Sequence, residues 1–275
     1  MRFLPLLTSS ISANGIANLN LGNPRHARAS CEAVVRIHQE LCKARPDAFL
    51  PDLASSLNDL GTMLSNLGQR EDALAATAES VEIRRGLAKA RPDAFLPNLA
   101  MSLNNLGIML RALGRREYAL AATAEAVEIR RGLARARPDA FLPGLAGSLN
   151  NLGTMLSDLG RREDALAATA ESVELFRGLA KARPDAFLPN LASSLNNLGT
   201  MLNNLGRRED ALAATEHAVR TLREHFLNLP QAYAQWMATM ANNYLRHCQE
   251  LDRHPDSDLL DPIVARLQEL NDANP

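Results

Sequence analysis

The chain has 275 residues and is almost neutral, because 30 lysines and arginines face 31 aspartates and glutamates. This balance creates no overall field for nucleic acid or an anionic membrane, so neither is an expected partner. Hydrophobic residues make up 46% of the chain but aromatic residues only 4%, and the apolar content is mostly alanine and leucine. These residues favour helices, and strand-favouring residues are scarce. The composition therefore predicts an all-α protein.

The cysteines and the N-terminus indicate the compartment. Cys31, Cys42 and Cys248 are an odd number without the spacing of a disulfide framework, which fits a reducing environment. The apolar run that follows Met1 is short and interrupted by Pro5, unlike a secretory signal. No run approaches the roughly 18 apolar residues of a membrane helix. We expect a cytoplasmic protein.

Two motifs recur every 46 residues. Phe-Leu-Pro begins at Phe3 and returns four times in phase, and Leu-Asn-Asn-Leu-Gly stands at 103–107, 149–153 and 195–199, with one change at 57–61. Such a period is typical of stacked repeats, each packing on its neighbours. The repeats are 3–48, 49–94, 95–140, 141–186, 187–232 and 233–275, with the first and last degenerate. Met1 stands where later copies have Asp47 or Asp93, so the sequence begins within a linker of the 46-residue repeat. We therefore expect that an upstream portion is missing.

Each repeat is predicted to contain two helices. In repeat 49–94, leucines at spacings of four and three residues, from Leu53 to Leu67, form one apolar stripe. Gly68 follows where a left-handed residue ends a helix. The second helix is predicted from about Glu71 to Ala90, and the next first helix begins near either Asp93 or Pro97.

Four glycines lie inside the first helices, and each costs about 1 kcal/mol relative to alanine. We expect close helix approach to compensate this cost, with Ala73 and Thr77 opposite Gly61. The four glycines are Gly61, Gly107, Gly153 and Gly199.

The end of the chain is predicted to form a cap. One side of the last helix carries apolar residues and the other carries polar ones, as a terminal repeat requires. The apolar residues are Leu260, Ile263, Val264, Leu267 and Leu270. Trp236, Met237 and Met240 are expected to pack in this cap, and a binding role for Trp236 is the less favoured alternative.

The order Leu57, Leu60-Gly61, Leu64, Gly68, Ala73, Ser80 resembles the tetratricopeptide repeat. The Leu-Asn-Asn-Leu core is most similar to the kinesin-light-chain-like branch, which is also found in bacterial repeat proteins. The resemblance covers about residues 3–250 and implies a right-handed α–α superhelix, or solenoid, of about six helix pairs. The chain departs from the family in its period of 46 rather than 34 residues, which requires longer helices or a longer linker.

No group of residues indicates catalysis, a metal or a cofactor. His38 and Cys42 are four residues apart and could share a helix face, but no third or fourth ligand can be named. Phosphate loops, nucleophile elbows and zinc-protease patterns are absent from the sequence. We expect that the protein is not an enzyme.

An asparagine recurs at the edge of the buried stripe of each first helix. The resemblance implies that first helices line a concave groove, where such amides bond the backbone of a bound peptide. The alternative is that the amides tie neighbouring helices together, and both interpretations stay open. The ladder consists of Asn58, Asn104, Asn150, Asn196 and Asn242.

The copies differ most beside this ladder, where the second full repeat carries Met101, Ile108 and Arg111. On a concave face these three would form an apolar and cationic spot in an otherwise small, polar groove.

We interpret the chain as a protein-binding scaffold that holds a partner's peptide or helix in the groove. The alternative is a docking or sensor arm of a larger bacterial nucleotide hydrolase or protease-like protein. RNA binding would need a basic groove, which the charge balance disfavours. Self-association through the uncapped first repeat is a further expectation.

Overall fold

A computed structural model of the protein describes residues 24–272, which form eleven α-helices and no strands. The predicted all-α fold class is confirmed. The helices are α1 (Pro24–Ala44), α2 (Pro46–Asn66), α3 (Arg70–Ala90), α4 (Pro92–Ala112), α5 (Arg116–Ala136), α6 (Pro138–Asp158), α7 (Arg162–Ala182), α8 (Pro184–Asn204), α9 (Arg208–Asn228), α10 (Pro230–Glu250) and α11 (Ser257–Asp272). The first helix expected in repeat 3–48 lies outside the described residues, as does the N-terminal surface expected to self-associate.

The chain divides into two compact units, residues 1–133 and 134–275. In the first unit, α1 packs on α2, α2 on α3 and α3 on α4, and α2 also contacts α4. In the second unit, each helix from α6 to α11 packs on the next, and α8 also contacts α6 and α10. Within each unit the elements are therefore helix pairs, and the first helix of one repeat touches the first helix of the next. None of the described helices is both long and apolar enough to cross a membrane.

The 46-residue period follows from two long helices and very short connections. In repeat 95–140 both α4 and α5 have 21 residues. Three residues, Leu113–Arg115, join α4 to α5, and Arg137 alone joins α5 to α6. The prediction of a second helix from about Glu71 to Ala90 is confirmed by α3, Arg70–Ala90.

Four of the five one-residue joints are an extended arginine followed by proline, and in the fifth Leu229 precedes Pro230. Arg91 has φ −142° and ψ 79° and lies between α3 and α4. Pro92 begins α4, where its missing N–H costs nothing, so the helix starts nearer Asp93 than Pro97. Pro97 is the sixth residue of α4. The Arg91 guanidinium stacks over the Phe95 ring at 4.9 Å, which gives the Phe-Leu-Pro phenylalanine a role at the joint.

Glycine ends the first helix of each of the four central repeats, as the sequence predicts. Gly68 has φ 74°, and its copies have φ between 72° and 75°. The Gly68 N–H donates to the carbonyl oxygen of Ser65, and the Gln69 N–H donates to that of Leu64, both at 2.9 Å. These two bonds form a Schellman motif, which satisfies carbonyl groups that a helix end leaves open.

The glycines that recur at Gly61, Gly107, Gly153 and Gly199 mark close contacts, which confirms the expectation. A Cβ on Gly61 would lie 2.1 Å from Thr77 Oγ1 and 3.1 Å from the Ala73 carbonyl oxygen. Thr77 and Ala73 are fully buried. A side chain at this position would therefore push α2 and α3 apart.

The C-terminal cap is confirmed in part. Leu260 and Ile263 are buried and Leu267 and Leu270 are partly buried, but Val264 is 41% exposed, so its place on the buried side is wrong. Met237 and Met240 are buried as expected. Trp236 is 43% exposed, and its predicted packing in the cap is also wrong. In α10 the buried stripe passes through Met237 and Met240, and Trp236 lies at its edge.

Candidate functional site

Asparagine side chains connect the first helix of one repeat to the first helix of the next. The amide nitrogen Nδ2 of Asn105 donates to Oδ1 of Asn58 at 3.1 Å in the first unit. In the second unit, Nδ2 of Asn197 donates to Oδ1 of Asn150 at 3.1 Å, and Nδ2 of Asn243 donates to Oδ1 of Asn196 at 2.9 Å. The second asparagine of each pair is always the donor. The amides therefore do bridge neighbouring helices, whether or not they also bind a ligand.

The ladder residues differ in their exposure. Asn58 and Asn196 are buried, with exposed fractions of 4% and 7%. Asn104 and Asn150 are half-buried, and Asn242 is exposed. We call the side of the first helices that carries these five asparagines the ladder face. The asparagine side chains of this face are accessible to different degrees, and Asn58 is the most buried of them.

A polar network encloses Asn58 further. Its Oδ1 also accepts from Ser102 Oγ at 3.0 Å. The buried Arg84 guanidinium donates to Ser102 Oγ and to the Asn98 carbonyl oxygen. Burial lowers the pKa of Arg84, and the charge of Asp59 acts against that shift. Asn58 is therefore part of the packing between α2, α3 and α4.

Each bridge fixes which end of an amide can face a ligand. Asn196 uses its oxygen toward Asn243, and Asn197 uses its nitrogen toward Asn150. Asn196 Nδ2 is then the remaining donor and Asn197 Oδ1 the remaining acceptor. Adjacent donor and acceptor groups match the carbonyl oxygen and the N–H of a peptide bond.

A cavity of about 270 Å³ lies over this pair of amides in the second unit. Trp236 forms part of its wall, and its ring lies edge-on to Tyr233 with centroids 6.2 Å apart. The cavity is lined by Ser193, Asn196, Asn197, Gln235, Trp236, Thr239 and Met240. The sequence offers a binding role for Trp236 only as the less favoured alternative, because the eroded repeat 233–275 gives no basis for its exposure.

The three variable residues of the second full repeat share one face of α4 with Asn104. Met101 is 38% exposed, Ile108 is 41% exposed and Arg111 is exposed. Their spacing of three, four and three residues around Asn104 places them along one side of the helix. The predicted apolar and cationic spot on the ladder face stays a prediction.

His38 and Cys31 are buried in the first unit, and Cys42 is partly buried there. His38 is buried and its Nδ1 lies 3.1 Å from Ser56 Oγ. Burial lowers the pKa of His38 and raises the pKa of Cys31 and Cys42. Across residues 24–272, no three His, Cys, Asp or Glu side chains are close enough to hold a metal ion.

Comparison with known proteins identifies the family. The tetratricopeptide repeat model matches residues 53–90, 99–134, 145–179 and 191–226, together more than half of the chain.

The chain belongs to the tetratricopeptide repeat family.

Similar folds occur in solved structures of low sequence identity. One is a variant of a kinesin-light-chain protein with nearly identical repeats from Podosopora anserina, with a TM-score of 0.63 and 18% identity over 82% of this chain and 98% of that one. Another is BtubC from P. vanneervenii, with a TM-score of 0.60 and 18% identity, over 90% of this chain and 92% of that one.

A third similar structure is the Rap conjugation gene regulator of plasmid pLS20 in complex with the Phr* peptide. It has a TM-score of 0.63 and 18% identity, over 98% of this chain and 64% of that one. No curated protein matches the chain by sequence. The resemblance to the tetratricopeptide repeat is confirmed, and the similar structures that include a kinesin-light-chain protein share the fold.

Proposed function

We propose that the protein is a non-enzymatic scaffold whose ladder face binds an extended segment of a partner protein. The observation that carries this proposal is the cavity over Asn196 and Asn197, which combines a fixed amide donor, a fixed amide acceptor and the exposed ring of Trp236. Within the second unit Asn150 and Asn242 would extend this surface, and in the first unit the residues proposed to contact a ligand are Asn58, Asn104, Met101, Ile108 and Arg111.

The amides favour an extended ligand over a helical one. The N–H and carbonyl groups within a helix already bond each other, so they have little to offer an amide side chain. An extended segment presents both groups to its surroundings. Neighbouring helices lie about 8–10 Å apart, and an extended chain advances about 3.3 Å per residue. One rung would therefore meet about every third ligand residue.

The cavity beside Trp236 adds a preference for an apolar side chain. Met240 is buried beneath the cavity, and Trp236 contributes an exposed aromatic wall. Aromatic residues of this kind commonly dominate binding energy at interfaces. The similar fold of the Rap regulator, solved with a bound peptide, supports the compatibility of this architecture with peptide binding.

A displayed library of random peptides would test the proposal. Selected peptides should carry an apolar residue at a fixed position, and Trp236→Ala should weaken their binding about tenfold or more in calorimetry. Tyr118→Ala removes an aromatic ring that is 71% exposed in the other unit and serves as the matched control. Equal affinities for the wild type and Trp236→Ala would place the peptide elsewhere and contradict the proposal.

A further inference from the structure

A second cavity lies in the first unit, between α3, α4 and α5. It has a volume of about 680 Å³ and is lined mainly by leucines and alanines. Leu103, Leu106 and Leu110 form its α4 side. At 100° per residue, these leucines lie about 80–160° around the helix from Asn104 and Arg111, and neither of those two residues lines the cavity. This cavity, which we call the leucine trough, is therefore separate from the ladder face.

Ion pairs lie at both ends of the trough. At one end Arg85 of α3 bonds Glu125 of α5 at 2.6 Å, and both residues line the cavity. At the other end Arg115 lies 3.6 Å from Glu71. The first contact is a close, charge-assisted hydrogen bond, whereas the second is too long to be one. Arg115 is therefore a weakly held cation at the mouth of an apolar cavity.

The other repeats show how the equivalent arginines are neutralised. Arg161 pairs with Asp164 at 2.6 Å, and Arg207 pairs with Asp210 at 2.7 Å, each three residues along the chain. In the repeat that forms the trough, the corresponding aspartate is replaced by Tyr118. The replacement removes the carboxylate that would pair with Arg115. It also adds an exposed phenol to the lining of the cavity.

We propose that the leucine trough binds an elongated apolar monocarboxylate of the medium-chain alkanoate type. The alkyl chain lies against the leucines, and the carboxylate takes the place of the missing aspartate on Arg115, beside the Tyr118 hydroxyl. The carboxylate of Glu71 lies 3.6 Å from Arg115, and the carboxylate of the ligand competes with it for the guanidinium. This site is independent of the peptide-binding proposal.

The size of the trough suits such a ligand. Tyr118 and Glu125 mark its two ends on α5, and seven residues of helix span about 10 Å. Its volume lies within the range of about 300–1,000 Å³ that is usual for small-molecule sites. A longer alkyl chain would meet the Arg85–Glu125 pair. We therefore expect the affinity to increase with alkyl length only until the ligand fills the trough.

Calorimetric titration of the full chain with decanoate, decylammonium and decanol tests the proposal. Decanoate should bind one saturable site, and decylammonium should bind at least about tenfold more weakly, because a charge-assisted bond contributes about that much. Tyr118→Asp restores the residue that the other copies carry at Asp72, Asp164 and Asp210, so helical content should not change. The new aspartate should pair with Arg115 and so lower the affinity for decanoate about tenfold.

Two further variants make the result decisive. Arg115→Met should abolish the preference for decanoate over decanol and keep decanol binding. Trp236→Ala should bind decanoate like the wild type, which separates this site from the ladder face. The proposal is overturned if the wild type shows no saturable decanoate binding, if Tyr118→Asp binds it equally well, or if Trp236→Ala loses it.

Discussion

Asn243 donates a hydrogen bond from its side-chain amide to the side-chain oxygen of Asn196, 2.9 Å away in the preceding first helix. Asn196 is only 7% exposed, so this oxygen has little access to water. The bond links two repeats and also sets the orientation of an amide in the cavity beside Trp236. Packing and the proposed recognition thus depend on the same side chain.

Removing the donor should destabilise the second unit. Asn243→Ala leaves the Asn196 oxygen without its partner, and an unsatisfied buried acceptor costs about 1–3 kcal/mol. Urea denaturation followed by the fluorescence of Trp236, the single tryptophan, would report the loss. Asn190→Ala, at an exposed position of α8, is the control, because it makes the same change of helix propensity without removing a bridge, and it should not lower the midpoint. A midpoint for Asn243→Ala equal to that of the control would show that the bridge contributes nothing.

Two glycines of α6 should respond to alanine in opposite directions. A Cβ on Gly153 would lie 2.1 Å from Thr169 Oγ1 and 3.1 Å from the Ala165 carbonyl oxygen, whereas a Cβ on Gly147 meets nothing within 4 Å. Gly147→Ala should raise the free energy of unfolding by up to about 1 kcal/mol, because alanine has the higher helix propensity. Gly153→Ala should destabilise by about 1–3 kcal/mol through overpacking.

The double variant Gly153→Ala with Thr169→Ala checks this cause. Removing the threonine hydroxyl should recover part of the lost stability in urea denaturation. If Gly153→Ala alone is as stable as Gly147→Ala, the close approach of α6 and α7 does not restrict this position.

Much of the architecture follows from the repetition itself. The leucine spacing, Gly68 and the in-phase Phe-Leu-Pro motif predict two helices and their ends, because these signals are local. The role of the asparagines does not follow from periodicity. Whether an amide at the edge of a stripe faces a groove or a neighbouring helix depends on how the two helices are rotated. Trp236 and Val264 were misplaced for the same reason, since the last repeat has lost the pattern that fixes rotation.

The second unit should lose stability in mild acid because of His247. This side chain is 1% exposed, its Nδ1 lies 3.1 Å from Thr215 Oγ1, and its Nε2 has no partner in the described structure. Burial lowers the pKa of His247 below its ordinary value of 6.5, and the charge of Arg246 adds to the shift, while Glu250 and the Ala211 backbone oppose it.

A lowered histidine pKa means that the unfolded chain binds the proton more readily. The contribution to stability is then complete above pH 6.5 and is lost as the pH falls below that value toward the folded-state pKa. The urea concentration at the midpoint of unfolding, measured between pH 5 and pH 8, should decrease as the pH falls below 6.5. His247→Met carries the residue of the equivalent position 201 and should flatten this dependence. An unchanged slope in the variant would assign the effect to other groups.

The joint arginines that stack on a phenylalanine, Arg91, Arg137 and Arg183, should contribute to stability through that contact. The Arg183 guanidinium lies 4.9 Å from the centre of the Phe187 ring at the start of α8. Arg183→Gln should cost about 0.5–1 kcal/mol, the usual size of an exposed cation–π contact. Lys181→Gln, an exposed cation two residues earlier in α7, is the control for lost charge. Equal denaturation midpoints for the two variants would remove the cation–π contact as a cause.

The most direct test of the central claim is to locate a bound partner by photo-crosslinking. A benzophenone amino acid at position 239 lies in the cavity of the ladder face, and the same group at position 213 lies on an exposed part of α9. After irradiation with a selected peptide, position 239 should give the crosslinked product and position 213 should give none. Crosslinking from position 213 with none from position 239 would contradict binding on the ladder face.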